Sequence, residues 1–168
     1  MRGKFSEERN KWIVGLTVVV AVAAVLFGLL YYADHCRWRT FDPTGMERDA
    51  AGIQCKLNYL GAIDDNYWRI SGYAYREGTQ IGVIDSYYVL QDVETDTWYQ
   101  LRTEPVEMSG IASGETAQGE EIDYTKAGLS AVIPIKKLTG TYHVYIVYGD
   151  GNSESLMDTG EEFSTCLE

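Results

Sequence analysis

The feature that most constrains the fold is an uncharged stretch near the N-terminus, which runs from Trp12 to Ala33 and is almost entirely apolar. At about 1.5 Å of rise per residue, a helix of roughly 21 residues is about 31 Å long, which matches the hydrocarbon core of a bilayer. Aromatic side chains of the kind that lie at the headgroup level occur at or just beyond its two ends: Trp12, Tyr31, Tyr32 and Trp38. The stretch therefore predicts a transmembrane helix over residues 12–33.

A cleaved signal peptide is the main alternative for this stretch. The apolar core of a signal peptide is usually only about 7–15 residues long and ends in small residues at the cleavage site. Here the apolar run is longer and ends in Leu-Leu-Tyr-Tyr-Ala-Asp-His-Cys, which lacks both an Ala-x-Ala pattern and the small-residue approach to Cys36 typical of a lipoprotein. We therefore expect a helix that stays in the membrane.

The charges that flank the stretch predict its orientation. Two basic residues, Arg37 and Arg39, follow it, whereas four precede it within a short tail: Arg2, Lys4, Arg9 and Lys11. Because cytoplasmic flanks carry the excess of Lys and Arg, this distribution favours a cytoplasmic N-terminus. We expect residues 1–11 to form a cytoplasmic tail and everything after the helix to lie outside the cell.

One face of the predicted helix carries small residues at helical spacing. These residues are Thr17, Ala21, Ala24 and Gly28, of which the last two form a small-xxx-small pair. Small side chains let two helix backbones approach closely in lipid, so this face is a candidate interface with the helix of another membrane protein. The alternative is that Ala and Gly are simply common in membrane helices.

The rest of the chain is strongly acidic. Residues 34–168 hold 10 basic and 23 acidic residues, a net charge of −13 within a whole-chain charge of −11. Without a basic stripe, such a region repels phosphate backbones, and we expect no nucleic-acid partner. Residues 34–52 mix both charge signs with Pro43, Gly45 and Gly52, and they read as a juxtamembrane linker.

Beyond Gly52 the sequence changes to short runs rich in β-branched and aromatic residues, separated by turn-forming residues. Seven such runs at this spacing predict an all-β fold, an antiparallel immunoglobulin-like β-sandwich over residues 53–168. The runs are Ile53–Leu60, Tyr67–Tyr75, Val83–Asp92, Thr97–Thr103, Leu129–Ile135, Tyr142–Tyr148 and Ser155–Ser164.

Alternation along the runs predicts which side chains point inward. In the second run, Trp68 and Ile70 share the inward side, and in the fourth run Tyr99 and Leu101 do. The run Tyr142–Tyr148 is apolar on both sides, which is typical of a central strand that is covered on both faces.

Several aromatic side chains fall on the predicted outward side, with polar neighbours nearby. They form a candidate binding patch for a surface glycan or a protein partner: Tyr73, Tyr75, Trp98, Gln100 and Arg102. In particular, this pattern predicts that Trp98 is exposed. The alternative is that tyrosine has high β propensity and fills cross-strand pairs without binding anything.

Three segments of the β region together follow a recognisable pattern. They are Ile70-Ser-Gly-Tyr-Ala-Tyr75, the hairpin Tyr88-Val-Leu-Gln-Asp92 with Trp98-Tyr-Gln-Leu-Arg-Thr103, and Gly128-Leu-Ser-Ala-Val-Ile-Pro-Ile followed by Gly140-Thr-Tyr-His-Val-Tyr-Ile-Val-Tyr148. Residues 70–148 thereby resemble an extracytoplasmic β-sandwich module of membrane-anchored cell-envelope proteins of Gram-positive bacteria, some of them associated with surface-polysaccharide assembly. The resemblance implies a fold and a compartment, and it carries over no catalytic residue.

The residues offer little for catalysis. The two histidines, His35 and His143, are far apart, and no Gly-x-Ser-x-Gly elbow accompanies them. Zinc-ligand spacings are missing, and the acidic clusters near Glu120 and Glu161 read as solvated loops rather than a paired acid and base. We expect no enzyme activity, no cofactor and no metal, although calcium is an alternative to simple turns at Asp92-x-Glu94-x-Asp96 and Asp150-x-Asn152-x-Glu154.

The chain contains three cysteines, Cys36, Cys55 and Cys166. Outside the cell one disulfide is expected, and the pair Cys55 and Cys166 is favoured because it closes a loop of about 110 residues, which stabilises a fold by roughly 4–5 kcal/mol. Cys36 is then left free, lipidated or bridged to another chain.

Taken together, these features predict a non-enzymatic, single-pass membrane protein of the cell envelope. We expect it to be an accessory or interaction subunit that binds another envelope membrane protein. The alternative is a module that binds a cell-surface glycan through exposed aromatic side chains.

Overall fold

A computed structural model describes residues 2–36, 39–82, 85–111, 113–115, 119, 121–135, 138–151 and 153–165. The chain divides into two compact units, Met1–Arg37 and Trp38–Glu168. The first unit is helical, and the second, the β unit, consists mostly of strands. The predicted combination of one N-terminal apolar helix with a β-rich region is therefore confirmed.

The first unit is a single helix, α1, over Arg2–Cys36. Its segment Trp12–Tyr31 is long and apolar enough to cross a membrane, and none of it is buried within the protein. Thr17, the polar residue inside this segment, donates its hydroxyl to the carbonyl oxygen of Ile13 at 2.9 Å. The hydroxyl thus has its hydrogen-bond acceptor within the helix. The helix also continues through the residues predicted as a tail.

The β unit contains twelve strands in the part of the chain that the structure describes. They are β1 Arg39–Thr40, β2 Glu47–Arg48, β3 Ile53–Ala62, β4 Tyr67–Arg76, β5 Tyr87–Asp92, β6 Trp98–Gln100, β7 Thr103–Val106, β8 Gly114–Glu115, β9 Glu121–Ile122, β10 Gly128–Pro134, β11 Thr141–Gly149 and β12 Glu154–Ser164. Each of the seven predicted runs overlaps a strand, namely β3, β4, β5, β6, β10, β11 and β12 in chain order. The run Val83–Asp92 starts later than predicted, at Tyr87, and its first two residues lie outside the described residues.

The strands form two larger sheets and one small one. The six-stranded sheet has the order β1-β6-β5-β11-β12-β2, the four-stranded sheet has the order β3-β4-β10-β7, and β8 pairs with β9. All pairings are antiparallel except that of β2 with β12, which is parallel. The strand β11 lies inside the six-stranded sheet between β5 and β12, so its predicted central position is confirmed.

Residues from both larger sheets form one hydrophobic cluster, which is the core of the β unit. Ile70 and Leu129 contribute from the four-stranded sheet, and Leu90 and Ile146 contribute from the six-stranded sheet, all fully buried. Trp68 packs against this cluster as predicted, with its ring 5.3 Å from that of Phe163. Burial of this apolar surface is the main force that holds the two sheets together.

The predicted run Thr97–Thr103 is divided between the two sheets. Its first half is β6 in the six-stranded sheet, and its end opens β7 in the four-stranded sheet. At the crossing, Leu101 is buried in the core and donates its backbone N–H to the carbonyl of Tyr88 at 2.9 Å. The hydroxyl of Thr103 accepts the N–H of Tyr88 at 2.9 Å, so both backbone groups of Tyr88 are used to fix the crossing.

The predicted linker 34–52 is not a separate segment. Residues 34–36 belong to α1, and residues 39–50, which we call the covering segment, belong to the β unit. Phe41 donates its N–H to the carbonyl of Trp98 at 2.9 Å, and Asp49 donates its N–H to the carbonyl of Leu156 at 3.0 Å. The covering segment supplies both edge strands of the six-stranded sheet, β1 and β2. Its lack of periodicity concealed this role from the sequence.

Within the four-stranded sheet, β3 approaches β4 unusually closely at Gly72. The register between these strands shifts between Leu57 and Tyr59, where β3 bulges. A Cβ atom at position 72 would lie 2.2 Å from the carbonyl oxygen of Lys56. Only glycine fits this place without displacement of the backbone.

Candidate functional site

The outer side of the six-stranded sheet is covered by the chain itself, and we call it the covered face. Its centre is a second hydrophobic cluster of four buried residues, Val89, Trp98, Val147 and Leu156. Phe41 and Met46 of the covering segment pack against this cluster. The covered face therefore presents no open aromatic surface at its centre.

Trp98 lies in the middle of the covered face, with only 7% of its surface exposed. Its ring centroid is 4.9 Å from that of Tyr145 and 6.4 Å from that of Phe41, and the guanidinium of Arg48 lies 5.8 Å above it. Its indole N–H donates to Oδ1 of Asp96 at 3.2 Å. The prediction that Trp98 is exposed is wrong. The alternation rule gave its side of the strand correctly, but the covering segment lies over that side.

The predicted binding patch is also divided between two surfaces. Trp98 and Gln100 lie on β6 of the six-stranded sheet, whereas Tyr73 and Tyr75 lie on β4 of the four-stranded sheet. Arg102 follows β6, and its Nε lies 4.0 Å from a carboxylate oxygen of Glu104. The structure therefore does not bring these five residues together as one patch.

The outer side of the four-stranded sheet differs, and we call the outward positions of β3, β4 and β10 the open face. The central strand β4 carries a row of outward residues that alternate with buried ones. They are Tyr67, Arg69, Ser71, Tyr73 and Tyr75. The neighbouring strands β3 and β10 flank this row. Ser71 lies between Tyr59 on β3 and Ser130 on β10. Arg69 lies between Gly61 on β3 and Val132 on β10.

One end of the open face exposes large apolar side chains. Among the described residues of the β unit, five large hydrophobic side chains are exposed, and four of them lie at this end of the open face or in the adjoining β3–β4 turn. These four are Tyr59, Ile63, Tyr67 and Val132, whose exposed fractions are 47%, 46%, 45% and 48%. The ring of Tyr59 lies over Gly61, where a Cβ would be 3.1 Å from its hydroxyl oxygen. That hydroxyl donates to the carbonyl of Ala62 at 3.0 Å, which fixes the ring against the sheet. Clustered exposed apolar side chains are typical of an interaction site.

The other end of the open face is filled by the chain. The ring of Tyr124 stacks on that of Tyr75 with centroids 4.0 Å apart, and Tyr73 lies 5.8 Å from Tyr75. The hydroxyl of Tyr124 accepts the N–H of Gly78 at 2.9 Å. Burial, more than the neighbouring Tyr73 and Glu77, raises the pKa of Tyr75. The accessible part of the open face therefore runs from Tyr67 to Tyr73.

The outward positions of β3, β4 and β10 carry positive charge, whereas the β unit as a whole has a net charge of −13. These strands contain no Asp or Glu and three basic residues, of which Arg76 lies at an inward position of β4. The bordering carboxylates include those of Glu104 on the edge strand β7, opposite Ser130, and of Asp64 in the β3–β4 turn, whose Oδ1 accepts the N–H of Tyr67 at 3.0 Å. Lys56 and Arg69 occupy exposed outward positions. This feature could have been found from the sequence, because the three runs that form the face are free of acidic residues.

Arg76, at the end of β4, does not belong to the open face and instead contacts Asp150 and Tyr148. Its guanidinium lies 3.9 Å from a carboxylate oxygen of Asp150 and 5.8 Å from the ring centroid of Tyr148. Its Nε is buried and has no hydrogen-bond partner among the residues that the structure describes. The two residues that Arg76 contacts, Tyr148 and Asp150, line a cavity of about 240 Å³ that residues 79–82 also border. The two contacts of Arg76 hold the end of β4 against β11.

The candidate residues of the helix face lie where the spacing predicts. Thr17, Ala21, Ala24 and Gly28 are exposed on α1. A Cβ at Gly28 would meet no atom within 4 Å, so a partner helix has room to approach there. Their role in helix pairing stays a prediction.

Of the predicted disulfide pair, Cys166 lies outside the described residues, so the pairing stays a prediction. Cys55 is half-buried, and its thiol contacts the carbonyl oxygen of Asp158 at a sulfur–oxygen distance of 3.9 Å. Burial raises the pKa of this thiol, and the carboxylates of Asp49 and Asp158 raise it further. The thiol is therefore protonated and weakly reactive at neutral pH.

The acidic loop that begins at Asp92 and the strand histidine make local contacts, whereas Glu120 and Asn152 lie outside the described residues. Oδ1 of Asp92 accepts the N–H groups of Glu94 and Thr95 at 2.9 and 3.1 Å, which closes the turn between β5 and β6. Nε2 of His143 lies 3.6 Å from a carboxylate oxygen of Glu162 on the neighbouring strand. Within the described ranges, no three His, Cys, Asp or Glu side chains lie close enough together to hold a metal ion.

Comparison of the chain with protein-family models, curated protein sequences and solved structures finds no match. The open face, rather than a relative, is therefore the basis for a functional proposal.

Proposed function

We propose that this protein is a non-enzymatic, membrane-anchored interaction protein of a cell envelope, an accessory subunit that holds a partner on the open face of its β unit. The helix α1 supplies the anchor. The length, apolar composition and exposure of its segment Trp12–Tyr31 support a membrane span. The basic residues that precede the segment support a cytoplasmic N-terminus and an extracytoplasmic β unit.

The strand order supports the proposal that the β unit is an immunoglobulin-like sandwich. In that fold, strands A, B, E and D form one sheet in this order, and strands C, F and G form the other. The order β3-β4-β10-β7 matches A-B-E-D, and the order β6-β5-β11-β12 matches C′-C-F-G. Folds of this kind present binding surfaces on their sheet faces and end loops rather than deep clefts, which agrees with an interaction role.

The observation that carries the proposal is the contrast between the two outer faces. The covered face is closed by residues 39–50 of the chain, whereas the open face exposes Tyr59, Tyr67 and Val132 next to Arg69. An exposed aromatic surface with a central arginine is enriched in the side chains that dominate binding energy at interfaces.

Site-specific photo-crosslinking of the full-length protein in its own membrane tests this function. A photoreactive amino acid is placed at Val132 on the open face and, as a matched control, at Val93, which is 46% exposed in the β5–β6 turn. We expect a crosslinked product from position 132, either one band for a protein partner or a ladder for a polymer, and none from position 93. Equal labelling from the two positions, or no product from either, would contradict a binding role for the open face.

The helix face offers a second contact with an envelope partner. If Ala24 and Gly28 pack against another helix, changing both to Ile separates the two backbones and releases a membrane protein that co-purifies in mild detergent. Changing Val18 and Val25, which are exposed on the same helix outside the small-residue pattern, to Ile is the matched control. Unchanged recovery with the Ala24→Ile, Gly28→Ile variant would limit the helix to anchoring.

A further inference from the structure

We infer that the open face binds an extended anionic polysaccharide, with Arg69 as its central carboxylate-binding residue and Tyr59 and Tyr67 as stacking surfaces. This inference rests on the proposed function, because it names the kind of partner that the open face holds.

The shape of the open face suits an extended chain. The outward residues from Tyr67 to Tyr73 lie along the single strand β4, and at about 3.3 Å per residue they cover roughly 20 Å. The face is a sheet surface rather than a cavity, so it can contact several units of a polymer at once while it encloses none of them. A polymer gains affinity on such a surface because each unit adds a contact to a chain that is already bound.

The aromatic side chains suit sugar rings. Tyr59 and Tyr67 expose nearly half of their surface, and the hydroxyl of Tyr59 is held by Ala62 so that the ring lies against the sheet. A tyrosine ring offers an apolar surface with a polar edge, and it loses little conformational entropy on binding. The apolar C–H side of a sugar ring can therefore stack on it while the sugar hydroxyls remain in water.

The charges favour a polymer that carries carboxylates. Arg69 is exposed at the centre of the row, and its cross-strand neighbours are Gly61, which has no side chain, and Val132, which has no charge. A guanidinium in this setting can bind a carboxylate through two parallel hydrogen bonds. Lys56 adds a second positive charge opposite Tyr73.

The rest of the β unit restricts where such a polymer can approach. Its net charge of −13 repels an anionic chain, whereas β3, β4 and β10 contain no acidic residue, and the carboxylates of Glu104 on β7 and Asp64 in the β3–β4 turn lie at the borders of the open face. Like charges over most of the surface and unlike charges on one face direct an anionic partner to that face. A neutral polysaccharide would gain nothing from this distribution of charge.

The test measures binding of polygalacturonate, which has a carboxylate on every sugar, to the full-length protein in phosphatidylcholine nanodiscs. Its methyl ester presents the same sugars without the charge. The variants are Arg69→Glu, Arg69→Gln and Tyr67→Ser, and the matched control is Arg39→Glu, an identical charge change at an exposed position of the other sheet. Near-ultraviolet circular dichroism confirms that each variant is folded.

We expect Arg69→Glu and Arg69→Gln to weaken binding about tenfold or more, because a charge-assisted hydrogen bond is lost. Tyr67→Ser and the methyl ester should bind several-fold more weakly, and Arg39→Glu should bind as the unchanged protein does. If the Arg69 and Tyr67 variants bind polygalacturonate as tightly as the unchanged protein, the inference is overturned. Equal affinity for polygalacturonate and its methyl ester also overturns it.

The two proposals fail in distinguishable ways. If polygalacturonate does not bind while position 132 still crosslinks to a protein, the polysaccharide inference is wrong and the interaction function stands. If the open face instead binds phosphatidylglycerol vesicles and not polygalacturonate, its partner is a lipid surface and the inference is again overturned. If neither binding nor crosslinking occurs, both proposals are wrong.

Discussion

The two outer faces of the β unit belong to sheets that pack on one common core, but one face is covered and the other is open. The strands of the six-stranded sheet hold six acidic and two basic residues, whereas those of the four-stranded sheet hold one acidic and three basic residues. The first face is covered by residues 39–50, and the second is left open. A sheet that is covered by its own chain can carry acidic side chains around the covering segment. An exposed face that binds a partner needs charges that are complementary to those of the partner.

This contrast also shows how an aromatic residue on a strand should be interpreted. Trp98 and Tyr67 are both aromatic residues at outward positions on their strands, yet the first is buried and the second nearly half exposed. Alternation identifies the side of a strand on which a residue lies. Whether that side meets water depends on another part of the chain.

The largest expected effect compares these two residues. Trp98→Ala removes a buried ring that contacts Phe41 and Tyr145, so the free energy of unfolding of the β unit should fall by about 3–5 kcal/mol. Tyr67→Ala removes an exposed ring and should cost less than about 1 kcal/mol. Urea denaturation followed by circular dichroism measures both, and equal costs would mean that the two faces do not differ as described.

The second prediction concerns the sheet beneath the open face. Gly72→Ala places a methyl group against the carbonyl oxygen of Lys56 and should destabilise the β unit by about 1–3 kcal/mol. Gly61→Ala is the matched control, because its new methyl group meets the movable ring of Tyr59 rather than backbone. We expect Gly61→Ala to cost clearly less in the same denaturation experiment. The reverse order of costs would show that β3 does not approach β4 as closely at Gly72 as the structure has it.

The third prediction concerns the attachment of the covering segment. Oδ1 of Asp49 accepts the N–H of Asp158 at 2.9 Å, and Asp49 has a positive φ of 48°. Asp49→Ala loses this hydrogen bond and retains the backbone strain, so it should cost about 1–2 kcal/mol. Asp49→Asn keeps an acceptor oxygen and tolerates the same backbone conformation, so it should cost less. Faster hydrogen exchange at the N–H of Asp158 in Asp49→Ala would localise the effect.

The smallest expected effect is a dependence of stability on alkaline pH. Burial beside the covering segment, together with Glu154 and Asp85, raises the pKa of Tyr87 to about 12. Its protonated form is favoured in the folded state, so the stability it contributes is complete below about pH 10 and is lost as the pH rises towards 12. The urea midpoint should therefore fall over this interval, and it should fall less steeply in Tyr87→Phe. An identical slope in the variant would contradict the assignment.

Most of the fold could be predicted from the sequence because its long strands alternate or are continuously apolar. The apolar helix and the central strand β11 follow directly from such patterns. The strand β7 was not predicted, because Glu104 and Pro105 interrupt any strand pattern in its four residues. The two-residue strands β1 and β2 are too short to have a period at all.

The candidate site was predicted only in part. The outward position of Tyr73 and Tyr75 on β4 followed from alternation, but their separation from Trp98 did not, since it depends on which sheet each strand joins. Tyr59 and Val132 belong to different strands, and only the register of β3, β4 and β10 brings them next to the row on β4. Register between strands distant in sequence is a property of packing rather than of local pattern.

The parallel pairing of β2 with β12 has a consequence for synthesis. A ribosome makes the covering segment before any other part of the β unit, but its partner Asp158 follows Asp49 by 109 residues. The second half of the covering segment, β2 with Asp49, is thus among the first parts of the β unit to be made and among the last to pair. Until the final strand emerges, β1 can pair with β6, but β2 has no strand to pair with, and a chain that ends before Glu154 also lacks Leu156 of the cluster around Trp98. Premature stop codons near the end of the reading frame should therefore yield chains prone to aggregation and to removal by proteases.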